Sequence, residues 1–376
     1  MGAIILSVIL VVLVIALESP QSLNGIFVRG PAGGGSNNTT GTHPFPTPIR
    51  HVVTLFLENE APSSVTDQPF EAGLCQIYAC STNYFAICHP SLPNYIAATS
   101  GLPGPSGSVA ACAGNESYPG AFAQTNIVDE LVQAGVSWSA YMEGMNTSCQ
   151  ARNYPDVSDS EFANGSGGYA VRHDPFAYYT DLSTDGQCAG HVLPFDGPGG
   201  WDSVARSGSA PDYIWITPNV CHDGHNNCSA YDNLSNAAEG DHWLSQFIPT
   251  LRAQPWYATS VIFITYDESV DTNSSGYDNG TVAGGPVYFA AVSPFTAGVG
   301  AFTPDSSHYN LLSTSEWLLG LNSTGHNDAS AAFPPMKGLF NFTTVTTVGP
   351  AAGTRSAPLG PNDPFGLLVQ ARPLDR

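Results

Sequence analysis

Positive charge is almost missing from this chain. Its 376 residues carry 10 Lys and Arg against 31 Asp and Glu, a formal charge of −21, and Lys337 is the only lysine. Charged residues of both signs make up 11% of the chain, against roughly 25% in an average soluble protein. The shortage of bases excludes nucleic acid as a partner, because a phosphate backbone is held by clustered Lys and Arg, and no such cluster exists here. Two readings of the imbalance stand. One is an ordinary acidic exported protein. The other is life in acid, where carboxylates neutralise and a chain with few bases avoids positive self-repulsion. The chain also lacks internal repeats, a C-x-x-C zinc knuckle, and an apolar run of the roughly 20 residues that a membrane helix needs. Hydrophobic residues reach 42%, enough for the core of one large domain or two ordinary ones.

The longest apolar run, "AIILSVILVVLVIAL" from Ala3 to Leu17, suits the core of a signal peptide better than a span. Its flanks show neither a basic start nor an A-x-A cleavage site, so an uncleaved anchor stays open. The expected organisation is a signal peptide or anchor over 1–20, a flexible Gly/Ser/Thr/Pro linker over 21–48, one main domain over 49–345, and a Pro/Gly-rich tail over 346–376. Sequons start at Asn37, Asn38, Asn115, Asn146, Asn164, Asn227, Asn233, Asn273, Asn279, Asn322 and Asn341. Together with eight cysteines, an even number, they place the chain outside the cell, secreted or tethered to a membrane through residues 3–17. Pairing is open. A local Cys221–Cys228 bridge is one reading, and a zinc held by Cys221, His222, His225 and Cys228 is its rival.

Short β-branched apolar runs predict buried strands at His51 to Leu57, in "APDYIWITPN", in "TSVIFITYDES" and in "GGPVYFAAVSP". Between them "NIVDELVQAG", "GDHWLSQFIPTLRAQ" and "SHYNLLSTSEWLLGL" have helical character. Strands alternating with helices predict an α/β fold, a mostly parallel sheet covered on both faces. Ligands bind beyond the carboxyl ends of such strands. Two strands end in polar pairs at that position, Glu58-Asn59 and Asp267-Glu268. They form an oxygen-rich ligand set for a hard divalent cation.

"CHPSLPNYIAATSG" sets Ser91 between two prolines just before a helical stretch, where backbone amides meet an anion. A serine hydroxyl beside a divalent cation is an activated nucleophile. Asn94 is either a donor to a bound anion or the cap of the helix at Tyr95. Imidazoles come from His173, His222, His225 and His308, with Asp223 between two of them. Such donors stabilise charge on transferring oxygens or protonate a leaving group.

The stretches "LENE", "HPSLPNYIAATSG", "SWSAYMEGM", "RHDPFAYY", "ITPNVCHDGH", "DHWL", "VIFITYDES" and "SHYNLLSTSEWLLGL" run in order from about residue 51 to 335. In them the chain resembles the phosphoesterase family of acid phosphatases and phospholipases C, within the alkaline-phosphatase superfamily, and most of all its secreted fungal-type acid phosphatases. The resemblance implies a three-layer α/β/α fold and a phosphoserine intermediate at Ser91. It implies a divalent metal ion held by Glu58, Asn59, Ser91, Asp267 and Glu268; its identity is open, and one ion is expected ahead of two. His173 and His225 face the phosphate with Asp223 beside them; Asn94 and His308 join the substrate-binding set. His222 is left out, and Arg172 stands where lysine is more usual. The expected partner is a small phosphorylated substrate, with oligomeric state open. The rival readings are a phospholipase C acting on phosphodiester headgroups and a non-catalytic surface glycoprotein.

Overall fold

The computed structural model of the chain describes residues 43–104, 112, 119–162, 164–165, 167–230, 234–270 and 284–344. The apolar segment 3–17, the tail 346–376, and the sequons at Asn37, Asn38, Asn115, Asn233, Asn273 and Asn279 lie outside the described residues. Among the described residues no helix is long and apolar enough to cross a membrane. The linker expected over 21–48 enters the described part at residue 43, and its last residues are packed. His43 Nε2 lies 2.6 Å from Leu319 O. The ring of Phe45 packs on the core, with the Arg50 guanidinium 4.6 Å from its centroid. The reason is local: "HPFPTP" carries an aromatic and three stiff prolines rather than glycine and serine.

The strands are β1 (His51–Leu57), β2 (Ala79–Ser81), β3 (Tyr84–Phe85), β4 (Trp138–Met142), β5 (Val192–Pro194), β6 (Tyr213–Thr217), β7 (Ser260–Tyr266), β8 (Phe289–Val292), β9 (Ala301–Phe302) and β10 (Ser306–Ser307). Eight of them form one sheet in the order β5-β4-β6-β1-β7-β8-β2-β9. Five neighbours, β5 through β7, run parallel, and β8 runs against both β7 and β2. The sheet is therefore mostly parallel as its sequence pattern implies, with "GGPVYFAAVSP" supplying the reversed strand. β1 and β7 are buried along almost their whole length, which is why both read as continuous apolar runs.

Helices cover both faces. On β1, Phe56 packs against Tyr95 of the helix Ser91–Ser100 and His308 of the helix His308–Leu319. The next residue, Leu57, faces Gly240 of the helix Asn236–Arg252, where a Cβ would stand 3.6 Å from its Cδ2. Adjacent strand residues point to opposite faces, so these helices lie on opposite sides and the architecture is three-layered α/β/α. The parallel strands all end at one edge, and Glu143, Glu58 and Asp267 are the residues that follow β4, β1 and β7 there.

Candidate active site

Where β1 ends, the chain is clamped on both sides. Glu58 N donates to Asp223 O at 2.7 Å, and Asp267 N donates to Leu57 O at 2.9 Å. Asn59 then takes a left-handed φ of 57°, a conformation that asparagine tolerates better than most residues. Its amide N donates to Asp267 Oδ1 at 2.8 Å and its Nδ2 to Glu58 Oε2 at 3.2 Å. Ser91 is the first residue of the Ser91–Ser100 helix, at the positive end of the helix dipole. Pro93 fits the first turn because no N–H is needed there. The Ser91 hydroxyl donates to Glu58 Oε2 at 2.9 Å, and the serine is 3% exposed. The structure thus gathers Glu58, Asn59, Asp267 and Ser91, and Glu268 joins through Asn94 Nδ2 at 3.3 Å.

His173 stands opposite. Its Nδ1 is 3.0 Å from Asp223 Oδ2 and its Nε2 3.3 Å from Glu58 Oε1. Its ring lies nearly parallel to that of Tyr95, 5.6 Å away. Burial drives the His173 pKa well below the usual histidine value, helped by Arg172 and His225. Burial thus favours the neutral ring, and a proton on Nδ1, held by Asp223, leaves the lone pair at Nε2 facing Glu58. His225 packs against it at 5.4 Å, and its backbone N donates to Asp223 Oδ1 at 2.8 Å.

The carboxyls are crowded and dry. Burial raises Glu58 well above the carboxylate range, and the charges of Asp267 and Asp223 add to it. Asp267 is raised by burial and then by Glu268; Asp223 is raised by burial, against the His225 amide and Arg172. Glu58 Oε1, Asp267 Oδ2 and His173 Nε2 are buried and have no hydrogen-bond partner among the described residues. Buried acceptors without donors are costly, and a cation is what such a set lacks. One ligand atom each of Glu58, His173 and His225 also lies within 4.8 Å of the others, but both His225 ring nitrogens are engaged, by Asn226 and by Arg172. The residues present fit a divalent metal ion.

Two expected substrate ligands are engaged elsewhere. Asn94 Oδ1 accepts from Ile87 N and Cys88 N at 2.9 and 3.1 Å, and its Nδ2 donates to Cys88 O at 2.6 Å. It neither caps a helix at Tyr95 nor lies open, because the helix starts three residues earlier. His308 Nε2 is 2.7 Å from Asp267 O and its Nδ1 3.1 Å from Tyr84 OH. Burial lowers the His308 pKa to about 4. This neutral ring supports the turn that carries Asp267. The zinc reading of Cys221, His222, His225 and Cys228 gives way to a Cys221–Cys228 disulfide; the other three bridges are Cys75–Cys80, Cys88–Cys112 and Cys149–Cys188. A bridged sulfur is no thiolate and offers zinc nothing.

Three residues of the site have no role in the sequence reading, although it names Arg172. His89 Nδ1 pairs with Glu268 Oε1 at 3.1 Å, and its position two residues before Ser91 was the available signal. Arg172 Nη2 contacts His225 Nε2 at 3.0 Å. Glu143 holds the turn after β6 by accepting from Asn219 N at 2.9 Å and pairing with His222 Nδ1 at 2.9 Å. It repeats the strand-then-acid pattern of Glu58 and Asp267, on a strand that the apolar runs do not reveal.

A serine at a helix start, facing buried carboxyls at the carboxyl edge of a mostly parallel sheet, is an arrangement that can take an anionic substrate together with a cation. The model of the Phosphoesterase family matches residues 56–314. The chain belongs to that family, whose members hydrolyse phosphoric esters. It is 26% identical over 279 residues to a phosphatidylinositol-3-phosphatase of Mycobacterium tuberculosis, covering 73% of this chain and 79% of that protein. It is 25% identical over 255 residues to a phosphate-repressible acid phosphatase of Penicillium chrysogenum, covering 66% and 54%. The chain spans about half the length of the fungal acid phosphatases it matches. Among solved structures it is similar to a protein in the alkaline phosphatase superfamily from Vibrio parahaemolyticus, with a TM-score of 0.46, 13% identity, and coverage of 76% and 72%.

Proposed function

We propose that this chain is an exported, metal-dependent phosphomonoesterase of the acid phosphatase type, working through a phosphoserine at Ser91. The observation that carries this is the Ser91 hydroxyl on Glu58 Oε2, beside the buried Asp267 Oδ2, Glu58 Oε1 and His173 Nε2, none of which makes a hydrogen bond among the described residues. Glu58, Asn59, Ser91, Asp267 and Glu268 would hold one divalent cation, which when bound supplies Lewis acidity and lowers the pKa of the serine hydroxyl. Ser91 Oγ bonds to phosphorus as the ester P–O bond breaks; the serine proton goes to Glu58 Oε2, on which the hydroxyl rests, and from there to the leaving oxygen. Water then cleaves the phosphoserine and restores the hydroxyl. Asp223 fixes the His173 tautomer, and the Nε2 lone pair suits His173 to take a proton from that water. Four disulfides, and sequon asparagines exposed at Asn146, Asn164, Asn227, Asn322 and Asn341, support a location outside the cell.

The relative named phosphatidylinositol-3-phosphatase favours a lipid phosphomonoester as a second reading of the same site. A panel of an aryl phosphomonoester, an aryl phosphodiester and phosphatidylinositol 3-phosphate, run with and without chelator, tests these readings. The account predicts monoester turnover that chelator removes and added metal restores, and loss of at least a thousandfold in Ser91→Ala, as roughly expected for removal of a nucleophile. Preferred diester turnover supports the phospholipase C reading. Near-normal activity of Ser91→Ala ends the proposal, and a folded protein inert to every substrate returns it to the non-catalytic glycoprotein reading.

A further inference from the structure

A phosphate dianion that enters this site approaches Glu58, Asp223, Asp267 and Glu268, all buried. Something must offset that repulsion and hold the non-bridging oxygens. His173 is occupied on one side by Asp223 Oδ2 and on the other faces Glu58 Oε1. His225 has one ring nitrogen on each of two neighbours: Nδ1 is 2.8 Å from Asn226 Oδ1, and Nε2 is 3.0 Å from Arg172 Nη2. A guanidinium has donors only. His225 Nε2 is therefore the acceptor of that contact, and the proton of the neutral ring sits on Nδ1, donated to Asn226. In this tautomer no ring N–H of His225 remains for a phosphoryl oxygen.

Arg172 is placed to do what His225 does not. It belongs to the short 3-10 turn Val171–His173, so it is the chain neighbour of the histidine that reaches Glu58. Its charge acts on Glu58, Asp223 and Glu268 together. Its side chain is only part-buried. We infer that Arg172, steered by His225, binds the non-bridging oxygens of the phosphoryl group, and that His225 is a positioning residue for it; this rests on phosphoester hydrolysis at Ser91. A guanidinium stays charged at any working pH and presents a planar fork that spans two oxygens. A monoester dianion gains more from that fork than a diester carrying one charge, so Arg172 also favours monoesters.

Inorganic phosphate is the probe. Its binding is measured by calorimetry to protein loaded with the activating metal, alongside metal content, melting temperature, kcat and KM. Arg172→Gln is expected to keep metal and melting temperature while weakening phosphate about ten- to a hundredfold, the usual worth of a hydrogen bond to a charged group, with KM for a phosphomonoester rising in step. Arg172→Lys recovers part of the loss, because it restores the charge but not the fork. His225→Ala weakens phosphate less than Arg172→Gln does. Unchanged phosphate affinity in Arg172→Gln overturns the inference and leaves the proposed function standing. If that variant fails to fold, Arg172→Lys decides: a drop of about tenfold supports the inference, and wild-type affinity overturns it. A wild-type protein that neither binds phosphate nor hydrolyses its esters removes the function and this inference with it.

Discussion

The carboxamide of Asn94 accepts from two backbone amides, donates to Cys88 O and reaches Glu268. It is fully buried and shapes the loop that leads into Ser91. Asn94→Ala leaves the amides of Ile87 and Cys88 without their acceptor, and each buried unpaired group costs about 1–3 kcal/mol. Urea denaturation is expected to show a loss of about 2–4 kcal/mol, with kcat falling as the loop relaxes. A change below about 0.5 kcal/mol, the scale of an ordinary surface substitution, contradicts this role. At the same scale, the meeting of Ser91 with the carboxyls was legible because chemistry and position coincide: a serine fixed by prolines, and acids at the ends of apolar runs. The partner of a ring nitrogen was not. Whether His225 faces phosphate or Arg172 depends on contacts between side chains from different loops, which spacing along the chain does not encode.

Helix Ser91–Ser100 is held at both ends. Beyond its last turn Gly101 takes a φ of 76°, and a Cβ there would stand 2.3 Å from Asp328 Oδ1. Ser100 O accepts from Thr324 Oγ1 at 2.8 Å and lies 2.7 Å from His326 Nδ1. Thr324 N donates to both Glu316 Oε1 and Asp328 Oδ2, at 3.1 and 2.8 Å. Two carboxyls around one amide, with Glu130 near, favour a retained proton. Burial first, and Asp328 next, push the Glu316 pKa up to about 10. A folded-state pKa raised above the unfolded value contributes stability that is full below about pH 4.5 and declines as pH rises toward 10. Glu316→Gln, which imitates the protonated acid, should flatten the fall in melting temperature between pH 5 and pH 9. An unchanged slope would show that Glu316 is ionised in the fold. Among the elements, β1, β6 and β7 were readable because strands buried on both faces carry apolar runs rich in Val, Ile and Thr. β4 was not, since "WSAYM" has no β-branched residue and Ser139 interrupts it. The reversal of β8 has no local signature, because pairing direction is a property of topology rather than of residues.

At the scale of the whole molecule, the missing bases acquire a structural sense. A chain with 31 acidic residues buries four of its carboxyls, Glu58, Asp223, Asp267 and Glu268, in one site, at a cost that a cation would relieve. The sequence order scatters these groups over residues 58 to 268, and the parallel sheet returns them to one edge. That convergence was foreseeable from the strand ends, whereas the dryness of the site, which raises the carboxyl pKa values, follows only from three-layer packing. The account stands on Ser91 as the atom that carries phosphate between two steps. The most direct measurement is an acid quench during turnover of an aryl phosphomonoester, followed by peptide mapping of the protein. The account predicts a peptide phosphorylated at Ser91, whose yield falls when chelator stops the reaction. Sustained turnover with no phosphate on Ser91, or with phosphate trapped on another residue, would contradict it.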